Sequence, residues 1–555
     1  MTGRRYVVLA VAAAAVPTAV LVVFFVVPVV GMLELGFFPN GRLDLGSVAD
    51  TLTRPRIVGA LWFTLWSSAV ATVLALGLGL PTAHLLYRVA FPGRHLLRGL
   101  VTMPFVLPTV VVGVAFRTLL APAGPLGGLG LDGTPAAIVA GLVFFNISVV
   151  VRTVGPWWEG LDRRREEAAA ALGASPLQVL RTVTLPALRP AIVAAATVVF
   201  LFCATAFGIV LTLGGVRYST VETEIYLLTT QFLDLPAAAA LSVLQVAVVV
   251  GLLVLAGRAR HRGGTAAEQV DRVGRRTAVR GFRRGDLPAA AVSAFVVALV
   301  VVPVLTLVVR SLRVEGEWSV AHYRALSGTG GTSRSDALLV PVTTALENSV
   351  RIAVDATALA LALGLVVAVL VTRPVRTPGP RRVLGLFDGV FMLPLGVSAV
   401  TVGFGFLVTL DEPPLDFRGS PWLVPVAQAM VALPLVVRIV VPALRGIDPR
   451  QREAAAALGA NPLRILGTVD LPVVWRPVLA AAGIAFAVSL GEFGATSFLA
   501  RPDRPTLPVV VFELLSRPEP ESFGTALAAA VVLAALTTAI MVAVERVRIA
   551  QLGAF

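Results

Sequence analysis

The sequence contains no lysine: all 46 of its basic residues are arginines. A phosphate-binding loop of the GxxxxGK[ST] type needs its lysine to reach the β- and γ-phosphates, so the chain does not hydrolyse ATP in that way. Lysine Schiff-base chemistry is excluded as well. The single cysteine, Cys203, cannot form an intrachain disulfide. His84, His95, His261 and His322 are scattered without metal-ligand spacing, and no catalytic triad pattern appears. Charge is scarce too, at 14% of residues, where an ordinary soluble protein carries about 25%.

Apolar residues fill the space left. They make up 57% of the 555 positions, with a mean hydropathy of +0.87, and they recur in runs of the ~20 residues a bilayer span requires. Twelve such runs fall near 6–31, 57–87, 99–120, 135–152, 191–214, 237–257, 287–310, 342–372, 384–410, 421–444, 478–500 and 522–544. The first is too long for the apolar core of a secretory signal and reads as an uncleaved span. The expected fold is therefore an all-α polytopic membrane protein of about twelve transmembrane helices.

Arginine bias in short loops sets the orientation. Arginines cluster in alternate loops, at 88–98, 163–189, 258–284, 373–382, 445–476 and 546–548, which places these loops and both termini in the cytoplasm. The net charge of +14 marks these loops beside membrane lipid rather than a nucleic-acid partner. Residues 258–286, rich in arginine and glycine without apolar periodicity, read as a solvated cytoplasmic linker between a first half, 1–257, and a second, 287–555.

A shift of 286 positions lays the second half on the first. Pro92-Gly93 meet Pro378-Gly379, Phe105 and Pro108 meet Phe391 and Pro394, Arg152 meets Arg438, and the register runs on through Pro156 and Pro442 to Phe207-Gly208 and Phe493-Gly494. The halves are repeats of one six-span unit. Six being even, both enter the membrane in the same sense and make parallel repeats, with a translocation path between them.

Each half carries the same loop after its fourth span, at 162–190 and 448–477. The first reads EAAAALGASPLQVLRTVTLP over 167–186 and the second EAAAALGANPLRILGTVDLP over 453–472. Asp448 serves as N-cap and Pro449 suits the first helical position. Gly459 takes the left-handed place after the helix end, Asn461 and Pro462 start a second helix, and Pro472 ends it. Asp162, Gly173, Ser175, Pro176 and Pro186 repeat the pattern. The product is a helix, a glycine turn and a helix: a smooth small-residue surface with a fixed carboxylate, built twice for docking.

This pattern resembles the EAA loop of binding-protein-dependent ABC importer permeases, and the resemblance covers nearly the whole chain. It implies the type I ABC importer permease fold, in the bacterial cytoplasmic membrane. It also implies that Glu167, Ala168, Gly173, Pro186, Glu453, Ala454, Gly459 and Pro472 couple the chain to two cytosolic ABC ATPase subunits. ATP and Mg²⁺ would then bind those partners and no cofactor this chain, and an extracytoplasmic solute-binding protein would deliver the substrate.

A fused pair of six-span halves is similar to thiamine and ferric-iron importers. The segments FPGR at 91–94, LTLGGVRYSTVETEIY at 211–226 and SLGEFGATSFLARPDRPTLPVVVFELL at 489–515 resemble the thiamine type, although iron permeases share similar segments. Glu492, which stands where the first half has Ala206, is a candidate for lining the path with Phe493 and Phe207; otherwise it sits in water at the outer mouth of its span. Arg351 and Asp355, spaced i, i+4, suggest an internal ion pair. The GxGxxG string at Gly128, Gly130 and Gly133 lacks a preceding strand and is no dinucleotide site. A competing class, an ion-driven secondary transporter, needs midplane carboxylates, for which Asp355 is the candidate, and has no use for twin docking loops. A membrane-embedded enzyme would need clustered His, Asp or Cys.

Overall fold

The computed structural model describes residues 14–38, 41–262, 280–328, 340–372, 391, 397–411, 413, 415–517 and 519–549. Ten of the helices among these residues are long and apolar enough to cross a membrane, and a bent pair, Arg94–Phe105 with Thr109–Leu120, adds an eleventh candidate. The 102° bend of that pair falls at Leu107-Pro108, where the proline ring forces the preceding residue out of helical geometry. The twelfth expected run, 384–410, supplies the short apolar helix Ala399–Thr409; residues 384–390 and 392–396 of it lie outside the described residues.

Two expected runs are broken rather than continuous. The run at 191–214 ends as a helix at Ala204 and restarts as Gly208–Gly214, and that at 478–500 ends at Leu490 and restarts as Thr496–Leu499. The Phe-Gly pairs sit in these breaks because the backbone there is pressed against a neighbouring helix start. A Cβ on Gly208 would meet Val110 N at 3.0 Å, and one on Gly494 would meet Val400 N at 3.1 Å. No side chain fits such an approach without displacement.

The helices gather into two compact units. One comprises Arg54–Glu224 with Ala247–Arg313, the other Met1–Thr53, Ile225–Val246 and Val314–Phe555. Each unit thus takes its opening helix from the other half of the chain: Arg284–Ser311 joins the first half's helices, and Ala14–Phe37 joins the second's.

In the Arg54–Glu224 unit the long helix Pro55–Arg88 lies along Pro135–Glu159. Glycines permit the approach: a Cβ on Gly79 would meet Val150 at 2.7 Å, and one on Gly155 would meet the Tyr87 ring at 2.2 Å. In lipid, where apolar burial drives little helix association, close small-residue packing of this kind holds spans together. In the other unit Val342–Thr372 lies along Leu423–Arg445, and Gly364 meets Val436 at 2.7 Å in the same sense. The hydroxyl ties repeat as well: Val221 N donates to Thr64 Oγ1 at 2.9 Å and Leu507 N to Ser349 Oγ at 2.7 Å. Phe24, from the opening helix, packs on Phe406 and Phe417 with ring centroids 5.8 and 5.5 Å apart.

Candidate functional site

The two loops have the same backbone. Asp162 Oδ1 accepts the N–H of Arg164 at 3.0 Å and Asp448 Oδ1 that of Arg450 at 2.9 Å, each satisfying a donor that the first turn leaves without a helical partner. The helices Arg163–Ala171 and Pro449–Ala457 follow. Gly173 N donates to Ala170 O and Ala174 N to Ala169 O, at 3.0 and 3.1 Å; Gly459 N donates to Ala456 O and Ala460 N to Ala455 O, both at 3.0 Å. These crossed pairs form a Schellman turn, which requires the left-handed φ of +89° at Gly173 and +82° at Gly459.

Ser175 and Asn461 then cap the next helix. Gln178 N donates to Ser175 Oγ at 3.4 Å while Ser175 N donates to Gln178 Oε1 at 2.7 Å, and Arg464 N donates to Asn461 Oδ1 at 2.8 Å. Pro186 and Pro472, expected to end this helix, do not. Each helix runs on as one span, Pro176–Ala204 and Pro462–Leu490. A single wide turn precedes each proline, with Leu185 N bonded to Leu180 O and Leu471 N to Leu466 O. The extra residue in that turn leaves the carbonyl four residues back free of the proline ring, and the missing N–H costs no helical bond.

Each loop helix is tied to the following span at one matched pair of positions, with different chemistry. In the first loop Thr184 Oγ1 donates to Glu166 Oε1 at 2.8 Å, and the buried Arg88 guanidinium donates to the other carboxylate oxygen. In the second, Arg452 Nε donates to Asp470 Oδ1 at 2.7 Å and Arg452 Nη2 to Leu444 O at 2.9 Å. Positions 166 and 452, like 184 and 470, stand 286 apart.

Glu167, Ala168, Gly173 and Pro186 are exposed, and so are Glu453, Ala454, Gly459 and Pro472. Beside them stand residues the sequence reading did not single out. Leu172 is 90% exposed and Leu458 89%, the two most exposed large apolar side chains among the described residues. They again lie 286 apart, and the exposed Leu177 and Leu463 repeat the relation. A lone exposed leucine is ordinary; here two exposed pairs repeat at one offset on twin loops. Their signal was present in the repeated ALGA, but a leucine within an alanine-rich helix reads as core.

The remaining candidates separate from the loops. Glu492 is not in water at the mouth of its span: it is 7% exposed, and its carboxylate accepts the N–H groups of Ala495 and Thr496 at 2.7 and 3.0 Å, capping the restart of the broken run. Phe493 is buried against Phe512, ring centroids 5.4 Å apart, and Phe207 is buried at the matching break. Arg351 and Asp355 form no ion pair; Arg351 is exposed and Asp355 half-buried on Val342–Thr372. An arginine placed N-terminal to its acid is the weaker of the two i, i+4 orders.

Two segments, 75–261 and 360–548, match the family described as Binding-protein-dependent transport system inner membrane component, and together they exceed half the chain. A probable ABC transporter permease protein, y4fN, of Sinorhizobium fredii is 26% identical over 95% of this chain and 94% of its own length. The thiamine transport system permease protein ThiP of Brucella abortus is 28% identical over 94% of this chain and 92% of its own. The sulfate transport system permease protein CysT of Salmonella typhimurium is 36% identical over 35% of this chain and 73% of its own. The chain therefore belongs to the binding-protein-dependent transport system inner membrane component family, as a fused two-half, multi-pass permease subunit of an ABC importer whose ATPase and solute-binding protein are separate polypeptides.

Proposed function

We propose that this permease imports thiamine. The observation that carries the reading is the match of ThiP along 94% of this chain and 92% of its own length, which spans both halves and the linker, whereas the sulfate permease matches 35% of this chain.

In this reading two ATPase subunits, which hold the ATP and Mg²⁺, cover the loops 162–190 and 448–477 from the cytoplasm, where the arginine-rich loops and both termini lie. Leu172 and Leu458 enter apolar pockets of the ATPase, and Glu167 and Glu453 meet basic or amide groups beside them. Closure of the ATPase dimer moves both loops. The ties at Glu166–Thr184 and Arg452–Asp470 make each loop move with its span rather than hinge from it. Each such span is a continuous helix of 29 residues, about 44 Å at 1.5 Å per residue, so a displacement at its root is delivered across the bilayer.

Uptake of labelled thiamine, beside labelled ferric iron and sulfate, in cells with this chain deleted and then restored tests the proposal. Loss and rescue of thiamine uptake alone is expected. Loss of iron or sulfate uptake instead overturns the substrate while leaving the importer intact. Uptake should also survive collapse of ion gradients with ATP maintained; an ion-driven carrier would stop.

A further inference from the structure

The linker does not end as a solvated tail. Its last residues, 280–286, pack into the Arg54–Glu224 unit. Arg280 and Gly281 pair in parallel with Val89 and Ala90. The Arg280 fork donates to both oxygens of Asp286 at 2.6 Å, and Arg283 N donates to Asp286 Oδ2 at 2.9 Å. Asp286 is 3% exposed, with His84 Nε2 3.4 Å from its Oδ1, and the His84 ring lies 5.1 Å from that of Trp158.

The segment this clasp grips is the one that roots the first loop. Arg88 precedes the paired Val89, and its Nη1 donates to Leu161 O at 3.0 Å while its Nη2 reaches Glu166. Arg163 Nη2 donates back to Arg88 O at 3.1 Å. Residues 88–90 are therefore held by the linker through their backbone on one side and hold the loop helix through Arg88 on the other. A bidentate Arg–carboxylate pair with a third backbone donor fixes geometry tightly. Among the described residues the second loop's tie is Arg452 with Asp470, inside the loop and span themselves.

We infer that the Arg280–Asp286 clasp positions the first docking loop, through residues 88–90 and Arg88, and does not act on the second. The inference rests on the reading of both loops as ATPase docking sites. The linker then sets the competence of the first site.

The test uses the assembled transporter with its ATPase. A168C and A454C, made singly, place one reactive thiol on each loop. The native Cys203 is buried, and because the chain has no lysine side chain, a higher-mass adduct formed through the amine arm of a thiol-to-amine cross-linker reports capture of the ATPase. D286N and R280A should each lower the cross-linking rate at A168C by about fivefold, the low end of measured coupling between sites, and leave A454C unchanged. A protease cut introduced within 263–279 should change neither reporter, since the clasp and not the covalent tether does the positioning. Equal losses at both reporters, no loss at either, or a loss caused by the cut alone would overturn the inference. L172D and L458D in the same assay keep the two readings apart. If each abolishes capture at its own loop while the clasp variants change nothing, the clasp inference fails alone. If neither affects capture, the docking reading fails and takes the clasp with it.

Discussion

The loops at 162–190 and 448–477 agree wherever backbone geometry dictates the residue and differ wherever only a contact must be kept. Both have aspartate at the N-cap, glycine at the left-handed turn, proline at the start of the second helix and a proline at the wide turn. The tie from loop to span, by contrast, reads Glu166 to Thr184 in one copy and Arg452 to Asp470 in the other. A left-handed φ admits few residue types, while a charge-assisted hydrogen bond works with donor and acceptor on either side. Repeats therefore hold their turns longer than their pairs.

The largest expected effect tests whether the loops are equal in docking. L172D and L458D together should reduce ATP-driven uptake of the imported substrate by more than ~100-fold, because a buried interface anchor commonly contributes 2–4 kcal/mol and a charge there must be desolvated as well. Membrane insertion should be unchanged, since both side chains are exposed in the free chain. If either single variant alone equals the double, the sites act as one unit; if L172D is much the milder, the second loop carries the coupling.

The ties should break unequally in stability. R452A takes the guanidinium away from the 1%-exposed Asp470, and breaking a buried ion pair by removing one partner costs up to ~3–5 kcal/mol. E166A removes the partner of Thr184, but Arg88 keeps Leu161 O and Trp158 O as acceptors, so its cost should be ~1–3 kcal/mol. Thermal unfolding in detergent measures both, and a smaller loss for R452A would show the second tie to be solvated. The turns, in contrast, should break alike. In G173A and G459A the added Cβ would meet no atom within 4 Å, so each carries only the left-handed penalty of ~1–2 kcal/mol, read as equal losses of cross-linking at A168C and A454C.

Most of this was legible in the sequence because it rests on residues whose backbone preferences are strict. The caps at Asp162, Ser175, Asp448 and Asn461 and the turns at Gly173 and Gly459 stand where the motif puts them. What escaped has no signature in residue type alone. The prolines at 186 and 472 look like helix ends until the wide turn that absorbs them is seen. Glu492 reads as a span carboxylate, yet its partners are N–H groups three and four residues on, a cap without the usual cap residue. The repeat offset also shifts: Thr64 and Ser349, like Gly79 and Gly364, lie 285 apart rather than 286, a slip invisible in helices of alanine, valine and leucine. Packing of Arg280–Asp286 against 88–90 has no local pattern at all.

The smallest effect sharpens the comparison at the second helix of each loop. Ser175 and Gln178 cap reciprocally, whereas Asn461 accepts one bond, from Arg464 N. Losing an N-cap side chain costs ~0.5–2 kcal/mol. S175A still leaves Gln178 Oε1 accepting the N–H of residue 175, so it should fall at the low end of that range; N461A leaves nothing, and should fall at the high end. Amide hydrogen exchange over 176–179 and 462–465 measures the difference as faster opening in N461A. Adding Q178A to S175A removes the remaining bond, and exchange in the first loop should then rise to match the second. If it does not, the Gln178 contact contributes no stability, and the two copies differ in the residue at the cap rather than in the strength of the cap.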